Sequence, residues 1–481
     1  MTTQTFLWHD YETFGVQPRR DRPAQFAAIR TDADMNEIGD PVMLYCQPAP
    51  DFLPDPQACL ITGITPQQCL EWGVPEHKFA AAIEEVFARP GTIGVGYNTL
   101  RFDDEITRFL FWRNLIDPYA REWQNQCGRW DILDVVRTTY ALRPEGITWP
   151  THEDGRPSFR LEHLCAANGL MHEAAHDALS DVRATIALAR LIKRKQPKLF
   201  DFCFALHKKE RVASEMGMNL APPLRQPFLH ISGMYPPERG CIALVWPLAM
   251  HPKNKNEVIV WDCNFDPAEL FTLDAATIRT RMFTRADALP QGVTRLPINS
   301  IHLNKSPMLV GNVKTLSLPQ AKVWGIDLEA GRTNALKASA GPDMAAIWAE
   351  VFQRPGAAES VDVDEDLYGG FIGNNDRRLL ASLRQETPQR LASAQPVFED
   401  ERLPELLFRY RARNFPATLN QGEIERWEQH RVTRLFDGAG ARTIEQLFGE
   451  IDQLFESADE RAEAILGALY DYAASIAPAR S

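Results

Sequence analysis

Four carboxylates and one histidine within the first 181 residues hold the chemistry of this chain. They are Asp10 and Glu12 in FLWHDYETFG, Asp103 in YNTLRFDDE, and His176 with Asp181 in HDALSDVRATIALARLI. Gathered without a counter-ion, four such anions would repel one another by roughly 3–4 kcal/mol per close pair at an effective dielectric of about 20. Something cationic must therefore sit among them. Oxygen ligands with a single nearby histidine suit Mg²⁺ or Mn²⁺ far better than zinc, and paired hard cations are the usual machinery for cutting phosphodiesters. The pattern reads as a metal-dependent nuclease.

Three elements must bring these side chains together. TFLW is an apolar run entering His9 and Asp10, which predicts a buried strand, and alternation along a strand puts Asp10 and Glu12 on the same face. TIGVGYN reads as a second strand. It leads into FDDEITRFLFWRNL, where Ile106, Phe109, Leu110 and Trp112 fall at helical spacing and place Asp103 in the first turn. Asp177 is the expected N-cap of a third element, a helix that runs through Val182, Ile186, Ala189 and Leu191 and ends in Lys193, Arg194 and Lys195. His176 and Asp181 are five residues apart, about 140° on an ideal helix. His176 is thus expected in the loop before that helix, swinging back over Asp181. A D-x-E, the Asn98–Phe102–Asp103 pattern or an H-x-x-x-x-D has, by itself, an ordinary explanation as a turn or a helix cap. The three in this order and on these elements do not.

At 481 residues and 44% hydrophobic content, the chain is too long for one compact core and has apolar material for two or three domains. QPK, at 196–198, marks a first boundary. β-rich runs such as PFLHISG, CIALVWPLAM and EVIVWDCN follow from about residue 225, and amphipathic helical stretches begin after Pro355 and Gly356. The expected domains are 1–196, 197–355 and 356–481. The eight cysteines form no C-x-x-C pair and are read as reduced core residues. No signal peptide or membrane span is visible, so a cytoplasmic location without membrane association is expected. The net charge of −12 disfavours non-specific coating of duplex DNA. A narrow single-strand channel with a local basic lining remains compatible with it.

Three other motifs are read as structural. Asp131 and Asp134 in RWDILDVV belong to a solvated or structural helix face. DVDEDLYGG, with Asp362, Asp364 and Asp366, begins like a calcium loop but has Leu367 where the turn needs glycine and Gly373 where the last acid belongs, and is read as a linker. Gly94 and Gly96 lack the third glycine of a dinucleotide site and fit strand packing.

The three acidic segments resemble the DEDD superfamily of exonucleases, in the subclass with histidine in the third motif. The resemblance implies an α/β ribonuclease-H-like core, a mixed sheet with flanking helices. It also implies two divalent ions held by Asp10, Glu12, Asp103 and Asp181, with His176 as the general base. The ions would be Mg²⁺, with Mn²⁺ as a substitute. Beyond the superfamily, HDYETFG, DRPAQFAAIRTD, LITGITPQ, RFDDE, RWDILDV, YALRPEGI, PSFRLEHL, HISGM and LLFRYRARNFPATL are similar to the bacterial exodeoxyribonuclease I family. That likeness implies an SH3-like β-barrel domain, a C-terminal all-α domain, and 3′→5′ digestion of single-stranded DNA to mononucleotides. It further implies a partner in the acidic tail of the single-stranded DNA-binding protein; a monomer is expected.

The matched segments supply Glu12, Arg108, Tyr119, Trp123, Arg137, Phe159 and Arg160 as candidate substrate contacts. Aromatic faces stack on bases at roughly 1–3 kcal/mol each, and arginines hold phosphates. A related exonuclease acting on RNA or in proofreading would share the acids. About 285 residues follow the nuclease segment, which favours the DNA enzyme. An inactive single-strand-binding scaffold is disfavoured because all four acids and the histidine are present.

Overall fold

The computed structural model describes residues 4–170, 177–220, 224–353, 361–438 and 440–479. Two compact units are assembled from separate stretches, one from 1–128, 172–183 and 358–481, the other from 129–171 and 184–357.

In the first unit, strands β1 (Thr5–Thr13), β2 (Pro23–Thr31), β3 (Val42–Tyr45) and β4 (Thr92–Gly96) lie in the order β3-β2-β1-β4. β1 is antiparallel to β2, with Asp10 opposite Ala27 and Glu12 opposite Gln25, and parallel to β4, with Trp8 opposite Val95. The strand is longer than the apolar run TFLW suggests, because alternation continues through the acids. Leu7 and Tyr11 face a core of Phe26, Phe79, Ile83, Phe87, Ile106, Leu110 and Phe111, while Asp10 and Glu12 project from the opposite face. Gly94 and Gly96 serve packing, as expected: a Cβ on Gly96 would come within 2.7 Å of the His9 carbonyl oxygen.

The helix Asp103–Arg113 is buried along nearly its whole length. Ile106, Leu110 and Phe111 meet the sheet core. Phe109 and Trp112 join a second core with Leu380, Leu403, Leu406 and Tyr410 from the C-terminal helices. A third cluster packs Phe14, Phe52 and Leu53 against Leu447, Ile451, Leu466 and Leu469. The last 120 or so residues are therefore fixed to the first 128 by two apolar cores, each burying side chains worth roughly 1.5–3 kcal/mol apiece. The helix Ala178–Lys195 starts in this unit and continues into the other.

The strand Gly128–Asp131 (β5), in the second unit from Arg129 on, gives way to a helix, Ile132–Leu142, capped by Asp131 accepting from the Leu133 amide. A curled antiparallel sheet follows, formed by β6 (Phe228–Ile231), β7 (Ile242–Met250), β8 (Glu257–Asp262), β9 (Ile298–His302) and β10 (Met308–Val310) in the order β10-β6-β7-β8-β9. The β7–β8 register shifts between Pro247 and Ala249, a bulge that bends the strand. The helix Leu328–Ser339 lies so close to β7 that a Cβ on Gly331 would come within 2.7 Å of Leu244. Seven of the eight cysteines are buried and all are free, in line with a reduced core. Among the described residues no helix is long and apolar enough to cross a membrane.

Candidate active site

β1 delivers two of the acids and two helices deliver the others. One carboxylate oxygen each from Asp10, Glu12 and Asp181 lies within 4.8 Å of the other two. Asp103, in the first turn of its helix, accepts a hydrogen bond from the Tyr11 amide at 3.1 Å, between the two β1 acids. The helix also ties back to the strand through Thr107, whose hydroxyl lies 3.0 Å from the Tyr11 hydroxyl and donates to the Asp103 carbonyl at 2.8 Å. Asp177 caps the Asp181 helix, its carboxylate accepting from the Ser180 amide at 3.1 Å. Gln25, opposite Glu12 on β2, accepts from the Ala178 amide at 3.3 Å and so pins the start of that helix to the sheet.

The electrostatics are those of a site built for a cation. Burial pushes the Asp10 carboxyl well above the usual carboxylate range, and Asp103, Glu12, Asp181 and Asp177 push it further. Glu12 is raised to about 8, first by burial and then by Asp181, Asp103 and Asp177. The strongest charges acting on these two groups from the described residues are other carboxylates. An all-oxygen, strongly anionic donor set of this kind fits hard divalent cations.

The structure thus gathers Asp10, Glu12, Asp103 and Asp181 in one place. His176 lies outside the described residues. Arg108 is 5% exposed and already engaged. Its Nε and Nη2 donate to Glu122 at 2.7 and 2.9 Å, and its Nη1 donates to Glu105 at 2.6 Å and to the Tyr368 hydroxyl at 3.1 Å. Tyr119 stands under that guanidinium, 5.2 Å from its ring centroid, and Trp123 is 65% exposed. In the other unit, Arg137 donates to Asp134 at 2.7 Å, and Phe159 packs edge-on against Tyr140 at 5.2 Å. Arg160 is exposed beside Glu162 at 3.4 Å. Asp131 caps its helix and Asp134 accepts from Arg137, and both are buried rather than solvated.

The linker reading of DVDEDLYGG is corrected. Asp364 is buried and holds Arg413 and Arg409, with Arg22 at 3.8 Å, because three arginines distant in sequence converge on it. Sequence reasoning also missed Asp177 as a member of the acidic cluster, since a helix cap explained it sufficiently. The one available signal was its place beside His176.

Comparison with known proteins agrees with this geometry. A family described as Exonuclease matches residues 7–189, Exonuclease I SH3-like domain matches 207–354, and Exonuclease I C-terminal domain matches 361–476. Exodeoxyribonuclease I of Escherichia coli (strain K12) is 45% identical over 481 residues, covering 98% of each chain. The chain belongs to the exodeoxyribonuclease I family. Family structures superpose closely. The crystal structure of E. coli exonuclease I in complex with a dA16 oligonucleotide has a TM-score of 0.90 at 44% identity, covering 98% of this chain and 100% of that one. A complex of exonuclease I with SSB-Ct, the C-terminal segment of the single-stranded DNA-binding protein, has a TM-score of 0.90 at 42% identity, covering 99% and 100%. The family's mixed α/β exonuclease domain, curled SH3-like sheet and helical C-terminal region are all present. Its exonuclease domain implies dependence on a divalent metal.

Proposed function

We propose that this chain is a 3′→5′ exonuclease that degrades single-stranded DNA to 5′-mononucleotides by two-metal-ion hydrolysis, acting in DNA repair and recombination. The observation that carries the reading is the cluster of Asp10, Glu12 and Asp181 oxygens within 4.8 Å, where neighbouring carboxylates raise Asp10 and Glu12, in a chain of this family. In this reading Asp10, Glu12, Asp103 and Asp181 hold two Mg²⁺ ions, for which Mn²⁺ can substitute. When bound, such ions supply Lewis-acid charge that stabilises the attacking and leaving oxygens and lowers the pKa of water.

The protein's own groups do the rest. His176 takes the proton of the attacking water, a role that suits a side chain with an ordinary pKa near about 6.5. The hydrogen bond from the Tyr11 amide holds Asp103 in line with the β1 acids. Trp123 and Phe159 offer base-stacking faces, and Arg137 and Arg160 offer phosphate contacts. Arg108 and Tyr119 shape the wall as a paired unit, the guanidinium being held by Glu105 and Glu122. The proposed domains are 1–196, 197–355 and 356–481, in a monomer working in the cytoplasm. The relative's complex with SSB-Ct supports the acidic tail of the single-stranded DNA-binding protein as a partner.

End-labelled single-stranded DNA, duplex DNA and RNA, each digested with Mg²⁺ or with chelator, test the function. The expected result is immediate release of the 3′ label from single-stranded DNA alone, abolished by chelator. Equal or faster attack on RNA would overturn the substrate assignment. His176→Ala is expected to lose about a hundredfold or more in turnover, the usual contribution of a general base, while still binding DNA and Mn²⁺. Loss of Mn²⁺ binding in that variant would make the histidine a ligand instead.

A further inference from the structure

The Asp103 helix opens with three successive acids, Asp103, Asp104 and Glu105. A helix N-terminus tolerates them electrostatically, and Asp103 is the one that acts on both Asp10 and Glu12. The other two are tied to consecutive residues of one short turn, Ala120–Glu122, Asp104 directly by Arg121 and Glu105 through Arg108 to Glu122. Arg121 Nη2 donates to Asp104 at 2.6 Å, and both side chains are almost wholly buried, 3% and 2% exposed. Glu122 grips Arg108, which in turn holds Glu105. The Arg121 guanidinium also lies over the Phe87 ring, 4.5 Å from its centroid, with its Nε and Nη1 finding no acceptor among the described residues. Phe87 belongs to the core beneath β1. The turn therefore clips the first turn of the helix to the sheet core at the residue next to Asp103.

We propose that Arg121 is a positioning residue for metal binding: its buried ion pair with Asp104 fixes the first turn of the helix and so presents the Asp103 carboxylate to the cation held by Asp10, Glu12 and Asp181. This inference rests on Asp103 being a metal ligand. It excludes a purely electrostatic role by sign. Arg121 is a positive charge near the site, so deleting it would tighten cation binding if it acted through its field alone. Deleting a positioning residue weakens binding instead.

The test is Mn²⁺ binding to the full chain, read from the free-Mn²⁺ signal in electron paramagnetic resonance, together with thermal melting in chelator. Arg121→Met is expected to weaken Mn²⁺ binding by about tenfold, the usual effect of losing an outer support of a metal ligand. Arg121→Lys, which keeps a charge opposite Asp104, should recover part of that loss. Should Arg121→Met fail to fold, the double variant Arg121→Met with Asp104→Leu removes both members of the buried pair with no net change in charge. Its Mn²⁺ binding is expected to weaken similarly while melting stays close to wild type. Unchanged or tighter Mn²⁺ binding in either folded variant would overturn the proposal. A wild-type chain that binds no Mn²⁺, or an Asp10→Asn variant that binds it normally, would instead overturn the metal site itself and this inference with it.

Discussion

Asp10→Asn is expected to cut the hydrolysis of single-stranded DNA by about 10³-fold or more, because the charge stabilisation that bound divalent ions supply is worth several kcal/mol and each ~1.4 kcal/mol is tenfold in rate. The same substitution is expected to make the metal-free protein more stable. Asp10 is half-buried and feels the charges of Asp103, Glu12, Asp181 and Asp177, all of one sign. Like charges at such separations repel by up to about 4 kcal/mol per pair, and an amide of the same shape removes them. Melting in chelator should rise by a few degrees in the variant. Adding Mg²⁺ should stabilise wild type, by about 2.7 kcal/mol at a hundredfold excess over its dissociation constant, and do much less for Asp10→Asn. A variant that is no more stable than wild type in chelator and still active with metal would refute the view that these carboxylates exist to hold cations.

This opposition between function and stability explains how much of the site could be read from sequence. Asp10, Glu12, Asp103 and Asp181 were legible because a folded chain has little structural use for several acids gathered at the end of an apolar run and in the first turns of two helices. The helix at Asp103 was legible for the same kind of reason, with Ile106, Phe109, Leu110 and Trp112 at helical spacing, although Ile106 and Leu110 meet one core and Phe109 and Trp112 another. Its other faces were not. Periodicity detects a boundary between apolar and polar sides, whereas this helix buries Asp104, Arg108 and Arg113 as well, each matched by a partner far away in sequence. The same limit hid the role of Asp364. An acidic stretch rich in glycine has the composition of a linker, and only the fold brings arginines to it. Arg108 shows the converse case: an arginine in a matched segment invites a phosphate, but Glu122 and Glu105 occupy its donors.

Arg413→Met is expected to have the largest effect on stability of any substitution outside the site. Arg413 Nε donates to Asp51 at 3.1 Å and its Nη2 donates to Asp51 at 2.7 Å, while Nη1 donates to Asp364 at 3.0 Å. Asp51 and Asp364 are 0% and 1% exposed. Arg409 and Arg22 flank Asp364, and His430 lies 3.3 Å from Asp51. The network thus locks residues of the first unit's N-terminal stretch to its C-terminal helices. Removing one partner of a buried ionic cluster strands the others, at a cost of about 3–5 kcal/mol, whereas replacing Arg413, Asp51 and Asp364 together with apolar residues should cost much less.

The network also sets acid sensitivity. Despite burial, which alone would raise it, the Asp51 carboxyl is held well below the usual range by Arg413, His430 and Arg22, and Asp364 likewise by Arg413, Arg409 and Arg22. A depressed folded pKa gives stability that is complete above the unfolded value, near about 3.9, and is lost as pH falls through the folded one. Urea unfolding at fixed metal should therefore show wild type losing this contribution progressively below about pH 4, and the triple apolar variant losing less over the same interval. Parallel acid profiles for the two proteins would show that the cluster is not what ties the C-terminal helices down.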